Sequence, residues 1–254
     1  MSHHKIQAEN LSFSYADKNN AIDNISFLIT HGQSVGVIGA NGAGKSTLLM
    51  LLLGVLMPST GKAIIGDVKV EKNTLPIIRS HIGMVFQNPE HQLFMPKVYD
   101  DIAFGPRNLN LSEDEVEKRV NEALFKVGIL HLKDRSSYKL SWGEKRCAAI
   151  ASVLSMSPDI LLMDEPTDAL DGKARRRIIE LLKTFSHTKI IASHDLDMIF
   201  ELCERTIVIL DGQIKADGNT KDILSNISLL NECGLEIPLS MQNCKNCGLN
   251  KNMN

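Results

Sequence analysis

Apolar residues along this chain keep two rhythms, and the change from one to the other divides it. Residues 6–15 and 21–30 mix alternating and short apolar runs around an Asn-rich stretch at 17–20, which predicts two antiparallel strands joined by a turn. The run at 35–39 predicts a short buried strand, and 45–53, apolar from 48 on, the helix after it. Residues 61–65 and 68–70, broken by Gly66-Asp67, predict a further strand pair, and 82–86 a buried strand ending at Gln87-Asn88-Pro89. Between 89 and 157 the period lengthens: helices are expected at 112–127, with Ser112 and Glu115 spaced as a capping box, and at 143–155. The earlier pattern returns with strand 160–163, helix 174–185, strand 189–192, helix 196–203 and a hairpin of 206–210 with 213–216 across Asp211-Gly212. The expected architecture is α/β. One domain spans 1–220 with a helical insertion at about 89–157, and 221–254 adds a short helix and a polar, mobile tail.

Composition narrows the setting. A chain of 254 residues buries a real core in one large or two modest domains. Its net charge of -2, with no dominant Lys/Arg-rich face, speaks against a nucleic-acid partner. The nearest thing to a basic cluster, residues 173–177, reads as a solvated helix face. Residues 1–7 lack the apolar core of a signal peptide, and the longest apolar run, 48–57, falls short of the roughly eighteen residues that span a bilayer. A soluble chain is expected. Five scattered cysteines fit reduced cytosolic thiols better than a disulfide framework.

The chemistry gathers where apolar runs end. Gly39-Ala40-Asn41-Gly42-Ala43-Gly44-Lys45-Ser46-Thr47 has the Gly, four residues, Gly-Lys-Ser spacing of a P-loop, whose small residues let successive backbone N–H groups wrap a polyphosphate at a helix start. Lys45 would reach the β- and γ-phosphates, and Ser46 would offer its hydroxyl to Mg²⁺. The strand at 160–163 delivers two carboxylates. Asp164 supplies the acid that such a site needs for Mg²⁺, and Glu165 is suited to orient or deprotonate the attacking water, a contribution of about 10²- to 10⁴-fold in rate. Gln87 and His194 also follow strands, so three strand ends carry polar groups over one crevice, where open α/β sheets bind ligands. His194 is placed there to contact the γ-phosphate and sense its presence. Tyr15 ends the first strand, where an aromatic stacks on a purine or serves simply as a strand residue. Ser141 and Gly143, within Leu140-Ser141-Trp142-Gly143-Glu144-Lys145-Arg146, open a helix whose positive end offers an anion site.

Taken in order, the P-loop, the glutamine after a strand, the Leu-Ser-x-Gly signature, the Asp-Glu strand, the Ala169-Leu170-Asp171 loop and the histidine resemble the ATP-binding-cassette (ABC) ATPases over residues 6–238. The resemblance implies a P-loop NTPase fold with an antiparallel β subdomain and an inserted helical subdomain, and ATP and Mg²⁺ as cofactors. It also implies a head-to-tail dimer in which the signature of one subunit closes on the triphosphate held by the other. In that reading Tyr15 stacks on adenine, while Gly39, Asn41, Gly42, Ala43, Gly44, Lys45, Ser46 and Thr47 hold the phosphates and Mg²⁺. Gln87 links the metal to the helical insertion, Asp164 supports Mg²⁺, Glu165 is the base and His194 the switch. The chain departs from the family at Trp142, where glycine is usual. Gly143 keeps the second glycine, implied to approach the phosphate most closely, and Trp142 is expected to point away.

Residues 87–94 and 99–109, Gln-Asn-Pro-Glu-His-Gln-Leu-Phe and Tyr-Asp-Asp-Ile-Ala-Phe-Gly-Pro-Arg-Asn-Leu, are similar to the ATPases of energy-coupling-factor (ECF) transporters. These act peripherally on the cytoplasmic face of the cell membrane, driving a transmembrane subunit and a substrate-binding membrane component. The resemblance implies a groove for helices of the transmembrane subunit, with Leu93, Phe94 and Met95 in apolar contact and Asp100 and Asp101 meeting basic residues. Residues 144–146 and 193–205 look most like the cobalt/nickel importers, whose ATPase works as a homodimer. A vitamin-importing ECF module with two different ATPases is the alternative, and a soluble, non-transport ABC ATPase is the rival from another class. A plain P-loop kinase would leave the signature helix without purpose. Cys244 and Cys247, with Cys233 and His3-His4, fall short of a complete metal site of about four ligands and read as incidental.

Overall fold

A helix that begins at the P-loop lies between two sheets, and the rest of the chain packs outward from it. The structure, a computed structural model, describes residues 5–16 and 18–242. The first sheet takes β1 (Ile6–Tyr15) and β2 (Lys18–Ile29). After β3 (Ser34–Ile38) has left for the second sheet, it takes β4 (Thr60–Ile65) and β5 (Val68–Lys69), in the antiparallel order β2-β1-β4-β5. The second sheet adds β6 (Ile82–Val85), β7 (Ile160–Asp164), β8 (Thr188–Ala192), β9 (Arg205–Leu210) and β10 (Gln213–Asn219), in the order β10-β9-β3-β8-β7-β6. Its pairs are parallel except for the hairpin of β9 and β10.

The parallel strands are apolar along most of their length because both their faces are covered. Ile160 and Leu162 of β7 join Val35, Val37 and Ile190 in a core shared with the first sheet and α1 (Lys45–Leu52), whereas Leu161 and Met163 turn to a second core. Burial from both sides explains why Leu48, Leu49, Leu51 and Leu52 are all fully enclosed, so residues 48–52 of α1 read as one unbroken apolar run. Between β5 and β6 lies α2 (Leu75–His81). Three helices occupy the span between β6 and β7: α3 (Val98–Asn108), α4 (Glu113–Val127) and α5 (Trp142–Leu154). Then α6 (Gly172–Thr184) and α7 (Leu196–Leu202) alternate with strands, and α8 (Thr220–Ser225) and α9 (Ile227–Glu232) follow β10. No helix among the described residues is long and apolar enough to cross a membrane.

Several elements depart from the sequence expectation for local reasons. The turn expected at 17–20 is tighter, since β2 already pairs at Lys18 with Tyr15. Neither α2 nor α3 was expected: a proline opens α2, and Gly105 and Pro106 sit in the last turns of α3, where breakers mask the helical period. Ser112 caps α4 by accepting the Glu115 N–H, but the Glu115 carboxylate pairs with Arg119 instead of closing the box. The complete capping box is at α5, between Ser141 and Glu144. Two helices stand where one short helix was expected after Thr220, and the chain beyond them is held by the Asp197 carboxylate, which accepts the N–H groups of Leu239 and Ser240 at 3.1 and 2.9 Å. Cys244 and Cys247 lie outside the described residues.

Candidate functional site

Because β3, β8, β7 and β6 are adjacent and parallel, their carboxyl ends bring four connections together. A cavity of about 320 Å³ opens there, lined by Tyr15, Ala21, Asn41, Gly42, Gly44, Lys45, Ser46, Thr47, Gln87, Asp164 and Glu165. Ten of the sequence-proposed residues therefore meet in one place. Gly39 and Ala43 do not line it. The Gly39 carbonyl accepts from Lys45 Nζ at 2.8 Å, and the Ala43 N–H is taken by the Ala40 carbonyl at 3.1 Å. Gly44 must be glycine: its φ is +114°, and a Cβ there would lie 2.5 Å from the Ala21 carbonyl oxygen. The Tyr15 hydroxyl lies 3.2 Å from Thr47 Oγ1, while the Tyr15 ring stands edge-on to Phe13 with 37% of the residue exposed.

Charge is distributed so that the cavity favours a polyanion with a divalent cation. Burial pushes the Lys45 ammonium below its usual range, and the fields of Glu165 and Asp164 oppose that shift. Lys45 is folded onto the carbonyls of Gly39 and Ala40, bonds that a triphosphate oxygen would replace with stronger, charge-assisted ones. Asp164 is 2% exposed, and burial raises its carboxyl pKa against the Ser46 hydrogen bond. Its Oδ1 is enclosed without any hydrogen-bond partner. An enclosed, unpartnered carboxylate oxygen beside a serine hydroxyl is costly alone and fits a hard cation such as Mg²⁺. Asp164→Asn is expected to raise the Mg²⁺ concentration for half-maximal nucleotide binding by roughly 10- to 100-fold, read by a fluorescent ATP analogue titrated with Mg²⁺. An unchanged Mg²⁺ requirement would remove Asp164 from the metal site.

Glu165 leaves the strand with φ of +50°, a conformation rare for a residue with a side chain, and its carboxylate turns toward the β8 connection. It accepts the Ser193 hydroxyl at 2.7 Å and the His194 N–H at 3.1 and 3.2 Å, with His194 Nδ1 at 2.9 Å. Ser193 in turn accepts the Asp195 N–H, and the Asp195 carboxylate receives a two-pronged bond from Arg175 at 2.8 and 2.9 Å and one from Thr167. Burial opposes ionisation of Asp195, yet the Arg175 fork holds its pKa below the usual carboxylate range. Arg175 is thus paired, unlike the solvated residue expected of that basic run. His194 lines a neighbouring cavity of about 510 Å³ together with Glu165 and Asp168, not the P-loop cavity itself.

Ser141 and Gly143 are elsewhere. They line a separate cavity of about 540 Å³ with Ala169, Leu170 and Asp171, and within one chain they do not meet the P-loop. The Ser141 N–H donates to the Glu144 carboxylate at 2.7 Å, so the end of α5 holds its own anion, and that contact keeps Glu144 below the usual carboxylate range. The expectation that Asp101 would meet a partner's basic residues is corrected. It is 5% exposed and accepts the N–H groups of Phe94 and Met95 at 2.8 Å and the Ser137 hydroxyl, because a loop that turns back on α3 needs an internal acceptor. Phe94 and Phe104, 64% and 40% exposed, instead pack edge-to-face on the surface, with ring centroids 5.0 Å apart.

Sequence reasoning passed over Ser193, Asp195 and Gln92. The first two flank His194 and were visible only as neighbours. Gln92 bonds the Ala149 carbonyl and Ser152 through its amide and accepts the Phe86 N–H, a role no spacing announces.

Comparison with known proteins places these features in context. The family model described as ABC transporter matches residues 22–168. GSU1281 of Geobacter sulfurreducens, provisionally named an ABC transporter ATP-binding protein, is 58% identical over 248 residues, covering 98% of this chain and all of that protein. The energy-coupling factor transporter ATP-binding protein EcfA of Methanothermobacter thermautotrophicus is 43% identical over 92% of this chain and 76% of its own length. Among solved structures, cbiO1 of Clostridium perfringens, described as part of the ABC transporter complex cbiONQ, superposes with a TM-score of 0.77 at 37% identity, covering 91% of this chain and 94% of that one. The dimeric ATP-binding cassette MJ0796 in a post-hydrolysis state with ADP and phosphate gives 0.79 at 27% identity, over 85% of this chain and 98% of its own.

Proposed function

The chain belongs to the ABC transporter family and is an ATPase, and from that premise we propose that two copies of it form the engine of an ECF-type importer for a transition-metal ion, cobalt or nickel. The observation that carries the dimer is the separation within one copy. Ser141 and Gly143, at the amino end of α5, line a cavity apart from the P-loop cavity, so within one copy the two do not meet. Joining two copies head to tail supplies what each lacks, and the dimeric cassette at 27% identity supports it.

In this reading residues 1–220 are the ATPase domain, with 89–157 as its helical subdomain, and 221–254 are an appendage. Lys45, Thr47 and the N–H groups of the loop hold the phosphates, and Tyr15 covers the base. Ser46, Asp164 and Gln87 would hold Mg²⁺, which when bound would neutralise charge on the phosphate oxygens. Glu165 leaves its Ser193 contact to take a proton from the attacking water, and His194 answers to the γ-phosphate. ATP drives closure because both copies contact the γ-phosphate only when closed, so ATP binds that state better.

The transport assignment rests on likeness to cbiO1 and EcfA together with the exposed Phe94–Phe104 pair, an apolar surface fit for helices of a membrane subunit on the cytoplasmic face. Uptake of labelled cobalt and nickel in cells with and without the chain tests it, with co-purification of a multi-spanning membrane protein. Loss of metal uptake on deletion is expected. Loss of vitamin uptake alone would move the chain to the vitamin modules, and loss of neither would take it out of transport.

A further inference from the structure

Arg146 has no exposed surface at all. A guanidinium stays charged under all working conditions, so enclosing it is costly unless its donors are satisfied. Here the satisfaction comes from the backbone: Nη1 donates to the Phe86 carbonyl at 2.8 Å and Nη2 to the Gln87 carbonyl, while Nε has no partner. The fields of Asp168, Asp164 and Glu165 reach it. A planar fork spanning two successive carbonyls fixes both peptides at once, which a lysine ammonium does not do.

The same helix makes further ties. Lys145 pairs with Glu90, just past Gln87, and Gln92 holds the Phe86 N–H while bonding to Ala149 and Ser152 of α5. Both backbone polar groups of Phe86, its N–H and its carbonyl, are therefore committed to this helix, directly or through Gln92. At the amino end of that helix stand Ser141 and Gly143, the groups proposed to meet the partner's triphosphate. Gln87, held through its carbonyl, faces the chain's own cavity. One short helical segment thus touches two nucleotide sites.

We propose that Arg146 is a positioning residue that couples the two nucleotide sites of the dimer, passing any shift of the first turn of α5 to Gln87 of the same chain. The inference rests on the dimer reading above. Closure on the partner's triphosphate displaces Ser141 and Gly143, the guanidinium carries Phe86 and Gln87 with it, and the metal site of the same chain is adjusted. Occupation of one site thereby improves the other.

The test uses the full chain as Arg146→Lys and Arg146→Met, with thermal unfolding to verify the fold. Wild-type hydrolysis is expected to be cooperative in ATP, and both variants to show a Hill coefficient of about 1 with turnover lowered roughly five- to thirtyfold. Binding of a fluorescent ATP analogue to the isolated monomer without Mg²⁺ stays at the wild-type level, since Arg146 touches no nucleotide. In a Gln87→Ala background, Arg146→Lys adds no further loss. A folded Arg146→Lys protein with wild-type cooperativity, a non-cooperative wild type, or losses that add in the double variant would each overturn the coupling. Dimer formation by the Glu165→Gln protein on ATP is measured alongside. A dimer with unaltered cooperativity in Arg146→Lys rejects the coupling alone, and no dimer rejects both it and the reading beneath it.

Discussion

Glu165→Gln is expected to lower ATP turnover by roughly 10²- to 10⁴-fold while nucleotide binding persists. Glutamine keeps the length and shape of the side chain but not its basicity. Its amide oxygen still accepts the His194 N–H, and its NH₂ turns to the Ser193 oxygen, so the contacts that hold this residue at φ of +50° survive. On the proposed mechanism, what is lost is the proton acceptor for the attacking water. ATP is then expected to stay intact, and the proposed contacts to its γ-phosphate to hold the two copies together. Single-turnover measurement of phosphate release checks this, and undiminished turnover would remove Glu165 from the mechanism.

Gly143→Asp is the second large effect, a loss of roughly 10²- to 10³-fold in hydrolysis with nucleotide binding to the monomer retained. A Cβ at Gly143 would come within 3.3 Å of the Ala169 carbonyl oxygen and 3.7 Å of Leu170 Cδ2, so the added side chain is pressed between α5 and the Ala169-Leu170-Asp171 loop. Its carboxylate would then stand beside Glu144 at the helix end proposed to meet the partner's phosphate, and like charges there repel the ligand. Trp142→Gly is the matched control. Trp142 is 41% exposed in the first turn of α5 and does not line the cavity that Ser141 and Gly143 share, so most activity should remain. Steady-state rates of the pair decide the matter, and equal losses would hand the phosphate contact to position 142.

Local features of the site were readable from the chain because their chemistry is contiguous. The P-loop spacing, the apolar run into Asp164 and the helix cap at Ser141 each sit within a few residues, and the fold preserves such short-range patterns. Tertiary features were not. Arg146 reads as one member of a charged triplet, and only the packing of α5 against β6 removes it from water. Asp101 reads as surface acid beside Asp100, but the return of the 94–95 backbone over α3 claims its carboxylate. The carboxylate of Glu165 is read from sequence as free to face a water, whereas the β8 connection holds it through Ser193 and His194, contacts made across 28 and 29 positions of chain. Helices α2 and α3 hid behind Pro76, Gly105 and Pro106, residues that weaken a helix locally and are tolerated near its ends.

Sedimentation of the Glu165→Gln protein, with and without ATP and Mg²⁺, is the most direct test of a nucleotide shared between two copies. A monomer that becomes a dimer only with ATP, and fails to do so once Gly143→Asp is added, is the expected result. A protein that binds ATP and sediments as a monomer throughout would contradict the shared site.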